Sequence, residues 1–329
     1  MSAVALQPVA PWPARAGIGL LLALLLAFPL GGERLFSGFY VDLATKIYIY
    51  GLFLLSYDLL AGYTGLVSFG HALFFGLGAY VTALTLLHVT ASLWAALAAS
   101  LVAALLVAIP IGFLAIRTRG VYFVFITLAF AELFYLIAFH WLPVTGGENG
   151  LTRIPAAALG PPGLALDSPA RNYYLALACL VGGYLLSRAL VTSPFGHVLV
   201  GVRENEERME FMGYHVMQVK RRAFVLSGLL AGAAGALLAS YQRFVSPDVM
   251  HWLTSADAVV MTWLGGVGTL VGPVVGGAVV IYVGNLLSSL TEHWMIVMGG
   301  IYVAFVLFSP RGIVGLAQQG MQRWWGSRS

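Results

Sequence analysis

Asp58, His71, Glu132 and His140 fall in or beside stretches apolar enough to lie in lipid. A charge at the centre of a bilayer costs about 2.5 to 3.5 kcal/mol even on the lenient insertion scale, so each must face protein or water. Glu132, in "TLAFAELFY", has only Leu128, Ala129, Tyr135 and Leu136 at the helical spacings where a partner on its own span could reach it. It therefore bridges to another helix, sits protonated, or lines a polar path. His71 follows Gly70 in the glycine-rich stretch "GYTGLVSFGHALFFGLGAYV", where capping a broken helix by donation to freed carbonyls competes with solute contact. Thr64, Ser68 and Thr127 are weaker candidates for lining a path, because membrane Ser and Thr also bond back to the helix backbone. With Gly70, Gly265 and Gly268, these residues form the candidate path through the membrane: Thr64, Ser68, Gly70, His71, Thr127, Glu132, Gly265 and Gly268.

Covalent chemistry has little support. No Ser-His-Asp or Cys-His set stands in an interpretable context, so the chain reads as a non-enzyme. Among the seven histidines only His251 has a possible ligand three or four residues away, Asp248, and one such pair makes no metal site. Cys179 is the single cysteine and lies within an apolar run, as a packing residue does. The two lysines, Lys46 after Thr45 and Lys220 after Val219, cannot belong to a G-x-x-x-x-G-K-[ST] phosphate loop. No cofactor is expected on this chain, and any ATP-driven process needs a separate motor.

The elements that position these residues are membrane helices. Of the 329 residues, 60% are hydrophobic and 9% charged, whereas soluble domains carry about 25% charged residues. The apolar runs are long and do not alternate with period two, which favours an all-α polytopic bundle over an outer-membrane barrel. About eight to ten spans are expected in a single transmembrane domain covering the chain, with residues 193–222 as a cytoplasmic loop within it. The net charge of +4 reflects basic cytoplasmic loops rather than nucleic-acid binding. The first apolar run, Gly17 to Gly31, lacks an A-x-A-like cleavage site and reads as a retained span or, being short, an interfacial helix.

Arg117 and Arg119, the basic cluster from Arg188 to Arg222, and Arg311, Arg323 and Arg328 belong on the cytoplasmic side. The Gly- and Pro-rich segment 143–169 then lies outside, and the run 257–290 must hold two crossings or a re-entrant pair. Within that run "LGGVGTLVGPVVGGAVVIYV" echoes the glycine-rich stretch of the first half. Paired glycine-interrupted segments suggest an internal repeat with broken elements along a path. Gly268, Gly272 and Gly276 equally make small-xxx-small spacings for close helix packing.

Nine of the thirty charged residues fall within positions 203 to 222, far more than a helix connection of about two to eight residues needs. Residues 197–212 read as an amphipathic helix, with Val198, Val202, Met209 and Met212 apolar and Gly213 as a stop. Acidic residues outnumber basic ones on its polar face, which favours a protein partner over lipid head groups.

At this point the chain resembles the permease subunits of ATP-binding-cassette importers for branched-chain amino acids, the longer of the two permease types. The resemblance rests on "GLVSFGHALFFGLGAYV", "TLAFAELFY", "TGGENGL", "FGHVLVGVRENEERMEFMGY", "KRRAFVLSGLLAGAAGAL" and "LGGVGTLVGPVVGGA", in the family's order. It implies a multi-pass protein of a bacterial or archaeal-type inner membrane. The implied partners are a second permease, two cytoplasmic ATPase subunits that bind ATP, a periplasmic binding protein and an amino-acid substrate. It also implies a coupling helix with an E-A-A…G pattern. Glu207, Arg208, Met209 and Gly213 fill comparable places, with the two small residues replaced by larger ones. The candidate coupling residues are Arg203, Glu204, Asn205, Glu206, Glu207 and Gly213. A stand-alone secondary transporter or channel for a small polar solute is the alternative, though it leaves the long charged loop unexplained.

Overall fold

A computed structural model describes residues 25, 26, 28, 29, 38–160, 165–308 and 312–316. Most of the first apolar run, Arg311, and the tail with Arg323 and Arg328 lie outside the described residues. Among the described residues, seven helices are long and apolar enough to cross a membrane. They are α1 (Gly38–Asp58, continued by a π-helical turn, Leu59–Tyr63), α2 (His71–His88), α3 (Leu93–Ala115), α4 (Val121–His140), α5 (Pro169–Thr192), α8 (Val216–Gln242) and α10 (Val271–Leu290). Two short helices, α6 (Pro194–Glu204) and α7 (Glu206–Phe211), form the charged loop. Two further helices are shorter, α9 (Trp252–Gly265) and the apolar α11 (Trp294–Phe308). The protein is a multi-pass helical membrane bundle.

Burial sorts the helices into two layers. α1, α2 and α8 are mostly buried, whereas α3, α4, α5 and α10 bury about a third of their length or less. Glycine makes the inner layer possible. A Cβ on Gly235 of α8 would overlap the Phe75 carbonyl of α2, and one on Gly78 of α2 would overlap the Gly232 carbonyl of α8. Backbones this close gain dispersion contacts along their length, which replaces the hydrophobic drive that lipid does not supply.

The doubled run resolves into a hairpin of α9 and α10. At 14 residues, α9 is about 21 Å long, short of a hydrocarbon core of about 30 Å. The segment before it completes the descent. Met250 packs at Gly76, well inside α2, while Val245 pairs with Leu151 of the segment between α4 and α5. The small-residue spacing works as a packing face for Gly272 and Gly276, which abut Gly265 of α9. Gly268 plays a different part, because it lies outside both helices in the turn between them.

Candidate functional site

The glycine-rich stretch of the first half is a broken helix. α1 ends in its π turn, residues 65–70 are irregular, and α2 restarts at His71. A buried break survives only if its backbone groups find partners. Thr127 of α4 accepts from Phe69 N at 3.2 Å, and Ser68 Oγ accepts from Gly70 N at 3.2 Å. Ser255 of α9 accepts from Ala72 N at 2.8 Å, capping the new helix from across the bundle. Gly70 is required because a Cβ there would overlap the Thr127 carbonyl.

The second break, residues 266–270 between α9 and α10, meets the first. Asp58, at the end of α1 and fully buried, accepts from Gly268 N at 2.6 Å and from Leu270 N at 3.0 Å. Gly266 and Gly268 have φ of 120° and 78°, and Leu270 holds φ of 59°, so this turn is wound tightly around the carboxylate. Gly62 completes the fit, since a Cβ there would overlap Asp58 Oδ1 and Gly268 N. One side chain thus ties the two glycine-interrupted segments together.

The charged loop of α6 and α7 reaches the same point. Arg203, the penultimate residue of α6, turns inward and donates Nη1–H to the Gly62 carbonyl. It lies close enough to Asp58 to act on it electrostatically, and its side chain also packs under Gly65. The amphipathic helix expected over 197–212 is two helices. Asn205 adopts an extended backbone and caps the second one, its side chain accepting from Arg208 N at 2.9 Å. This fold-back explains where the apolar face goes: Val202 and Met209 close on Val216 instead of facing outward, with Val198 and Val219 beside them. Glu206 is likewise held inward, accepting from Lys220 Nζ at 2.7 Å, with Arg119 Nη2 at 3.9 Å. Glu204, Asn205, Glu207 and Gly213 stay exposed, next to Phe211, Met212 and Tyr214.

The remaining predicted site residues do not converge on one cavity. His71 Nε2 lies 2.8 Å from Ser56 Oγ and 3.4 Å from Ser227 Oγ, so His71 pairs with hydroxyls of α1 and α8 rather than with freed carbonyls. Thr64 donates to Leu59 O at 3.2 Å and Thr127 to Val124 O at 2.9 Å, the local backbone bonding open to such residues. Thr64, Ser68, His71 and Thr127 are all buried inside this chain. Glu132 stands apart at the start of α9, accepting from Trp252 N at 3.4 Å with His251 Nε2 at 3.7 Å. A carboxylate there complements the helix dipole. His140 Nδ1 pairs with the Leu136 carbonyl of its own helix at 2.9 Å. Among the described residues no group of three metal-ligating side chains occurs. Sequence reasoning placed Asp58 only as an ionisable residue in a span, and its partners 210 positions away carry no local signal.

The family described as "Branched-chain amino acid transport system / permease component" matches residues 39–306. The chain belongs to this family. It is 27% identical over 322 residues to the high-affinity branched-chain amino acid transport system permease protein LivM of Escherichia coli K12, covering 91% of this chain and 75% of the relative. Against LivM of Salmonella typhimurium the identity is 27% over 301 residues, covering 84% and 70%. The LivH permease of Escherichia coli K12 is 23% identical over 284 residues, covering 81% and 91%. The stronger similarity is therefore to LivM, the longer type. No solved structure matches the chain.

Proposed function

We propose that this chain is one of two permeases of an ATP-driven importer in a cytoplasmic membrane. It carries branched-chain or related amino acids, handed over by a periplasmic binding protein, inward along a path formed with the second permease. Its two motor subunits bind and hydrolyse ATP, and this chain does no chemistry. The observation that carries the reading is the reach of Arg203: one residue of the cytoplasmic loop holds the carbonyl of Gly62 beside the Asp58-capped turn at Gly268. A push on the loop has a short, stiff route to both broken helices.

In this reading Glu204, Asn205, Glu207 and Gly213, with Phe211 and Met212, form the face that a motor subunit grips. Arg203 and Glu206 serve the inner side of the same loop, passing displacement to the bundle. Gly70, His71, Gly265 and Gly268, with Thr64, Ser68 and Thr127, belong to the gate region, whose close backbone packing lets helices slide with little side-chain obstruction. Glu132 sets the position of α9 from its outer end. A stand-alone transporter does not require a cytoplasmic loop braced in this manner.

Reconstitution tests the proposal. Proteoliposomes holding the chain with its co-produced gene neighbours should take up substrate only with ATP and loaded binding protein, and the chain alone should take up none. Uptake by the chain alone, without any ATPase, would reject the importer reading.

A further inference from the structure

The outer surface of the bundle is not uniformly apolar. On α3 and α4 the exposed side chains include Val102, Leu106, Phe125 and Leu133, as lipid contact requires. A different face is formed by α1, α9 and α11. There Asp42, Lys46 and Tyr50 follow one another at four-residue spacing along the outer half of α1, all partly exposed, and Asp257 is exposed on α9. Lys46 Nζ lies 5.9 Å from the Tyr50 ring centre. Tyr50, Phe53, Thr254, Asp257 and Met261 line a small cavity of about 60 Å³ between α1 and α9, and Tyr302 of α11 lies within electrostatic reach of Asp257. Among the described residues, neither Lys46 nor either carboxylate makes an ion pair. Unpaired charges of both signs at membrane depth cannot face hydrocarbon without a large penalty.

We infer that this face, and not the buried cluster around His71, is the chain's wall of the transport path, with Asp257 receiving the ammonium group of a zwitterionic amino acid. The inference rests on the importer reading. Lys46 lies one helical turn nearer the outside than Tyr50 and Asp42 one turn further out again, so a solute entering from the periplasm passes charges of both signs before it reaches Asp257. Between them the partly exposed ring of Tyr50 offers apolar surface for an aliphatic side chain. A path lined with these charges stays wet and holds its solute weakly.

The test uses the assembled importer with Cys179→Ala as background and Thr254→Cys as reporter, leaving Asp257 intact. A charged, membrane-impermeant thiol reagent should modify Thr254→Cys, at a rate changed by ATP and loaded binding protein, and should spare Leu106→Cys on the lipid face. In the second arm Asp257→Asn should lower uptake by about tenfold or more, with Asp257→Glu retaining most of it. Co-purification of the assembled complex should be unchanged in both. An unreactive Thr254→Cys in every nucleotide state, or wild-type uptake by Asp257→Asn, overturns the inference while leaving the importer reading standing. If the Cys179→Ala complex shows no ATP-dependent uptake, both fall.

Discussion

Asp58 offers the most direct way to break the connection between the two glycine-rich turns. Its carboxylate satisfies two buried backbone donors, Gly268 N and Leu270 N, in a site closed to water. Alanine would leave both unpaired, at about 1–3 kcal/mol each, or about 2–6 kcal/mol for the turn. Part of this is offset, because burying the carboxylate itself carries a desolvation cost that the substitution removes. Asparagine is the sharper probe. It keeps the shape and one acceptor, but turns its amide N–H toward the second donor, so about 1–3 kcal/mol is lost. If the turn at Gly268 transmits motion only while it is held, a loss of about 2 kcal/mol lowers the fraction of productive cycles about thirtyfold. The assay is ATP-driven uptake and ATP hydrolysis measured on the same proteoliposomes. Asp58→Asn should keep hydrolysis and lose uptake per ATP. A double-mutant cycle with Arg203→Ala should give a coupling energy above about 0.5 kcal/mol. Uptake per ATP within twofold of the parent, together with additive effects of the two substitutions, would refute the link.

Other substitutions probe the parts separately. Gly235→Ala drives a Cβ into the Phe75 carbonyl and should destabilise the chain by about 1–3 kcal/mol, seen as a lower melting temperature in detergent. Gly182→Ala, where a Cβ meets nothing within 4 Å, should not lower it. Phe211 is 90% exposed at the tip of the loop, so Phe211→Asp should abolish co-purification with motor subunits without changing the melting temperature. Glu206→Ala leaves the largely buried Lys220 ammonium without its carboxylate. It should cost about 1–3 kcal/mol and speed amide exchange across residues 205–213.

Much of the architecture is legible in the sequence because lipid imposes its own rule: about twenty apolar residues per crossing, with basic loops inside. Parity alone requires that the run 257–290 double back, and α9 and α10 do so. The loop is less legible. Val198, Val202, Met209 and Met212 sit at helical spacing, but Asn205 breaks the helix and folds most of that face onto α8. Only Met212 of the four is left clearly outside, joined by Phe211. His71 shows another limit: its neighbours in sequence mark a helix break, yet its hydrogen-bonding partners come from α1 and α8. Lys46 and Asp257 carry no local signal because apolar runs absorb single charges, and only the folded bundle brings Asp257 to the Tyr50 ring that Lys46 approaches.

Why the two breaks should meet at all follows from the cost of each. Either one, left to itself within the bundle, exposes backbone donors and acceptors that lipid cannot satisfy. Side chains at hand can cap some of them, as Ser68 does for Gly70. The turn at Gly266–Leu270 has Thr269 for its local needs, accepting from Gly272 N at 2.9 Å. The donors at Gly268 and Leu270 are met only by Asp58, from the end of the other break. The carboxylate in turn lies beside a cation that arrives on α6. Each element therefore removes a penalty created by the next. A link of this kind moves as a unit or comes apart as a unit, which is the property a gate driven from outside the membrane needs.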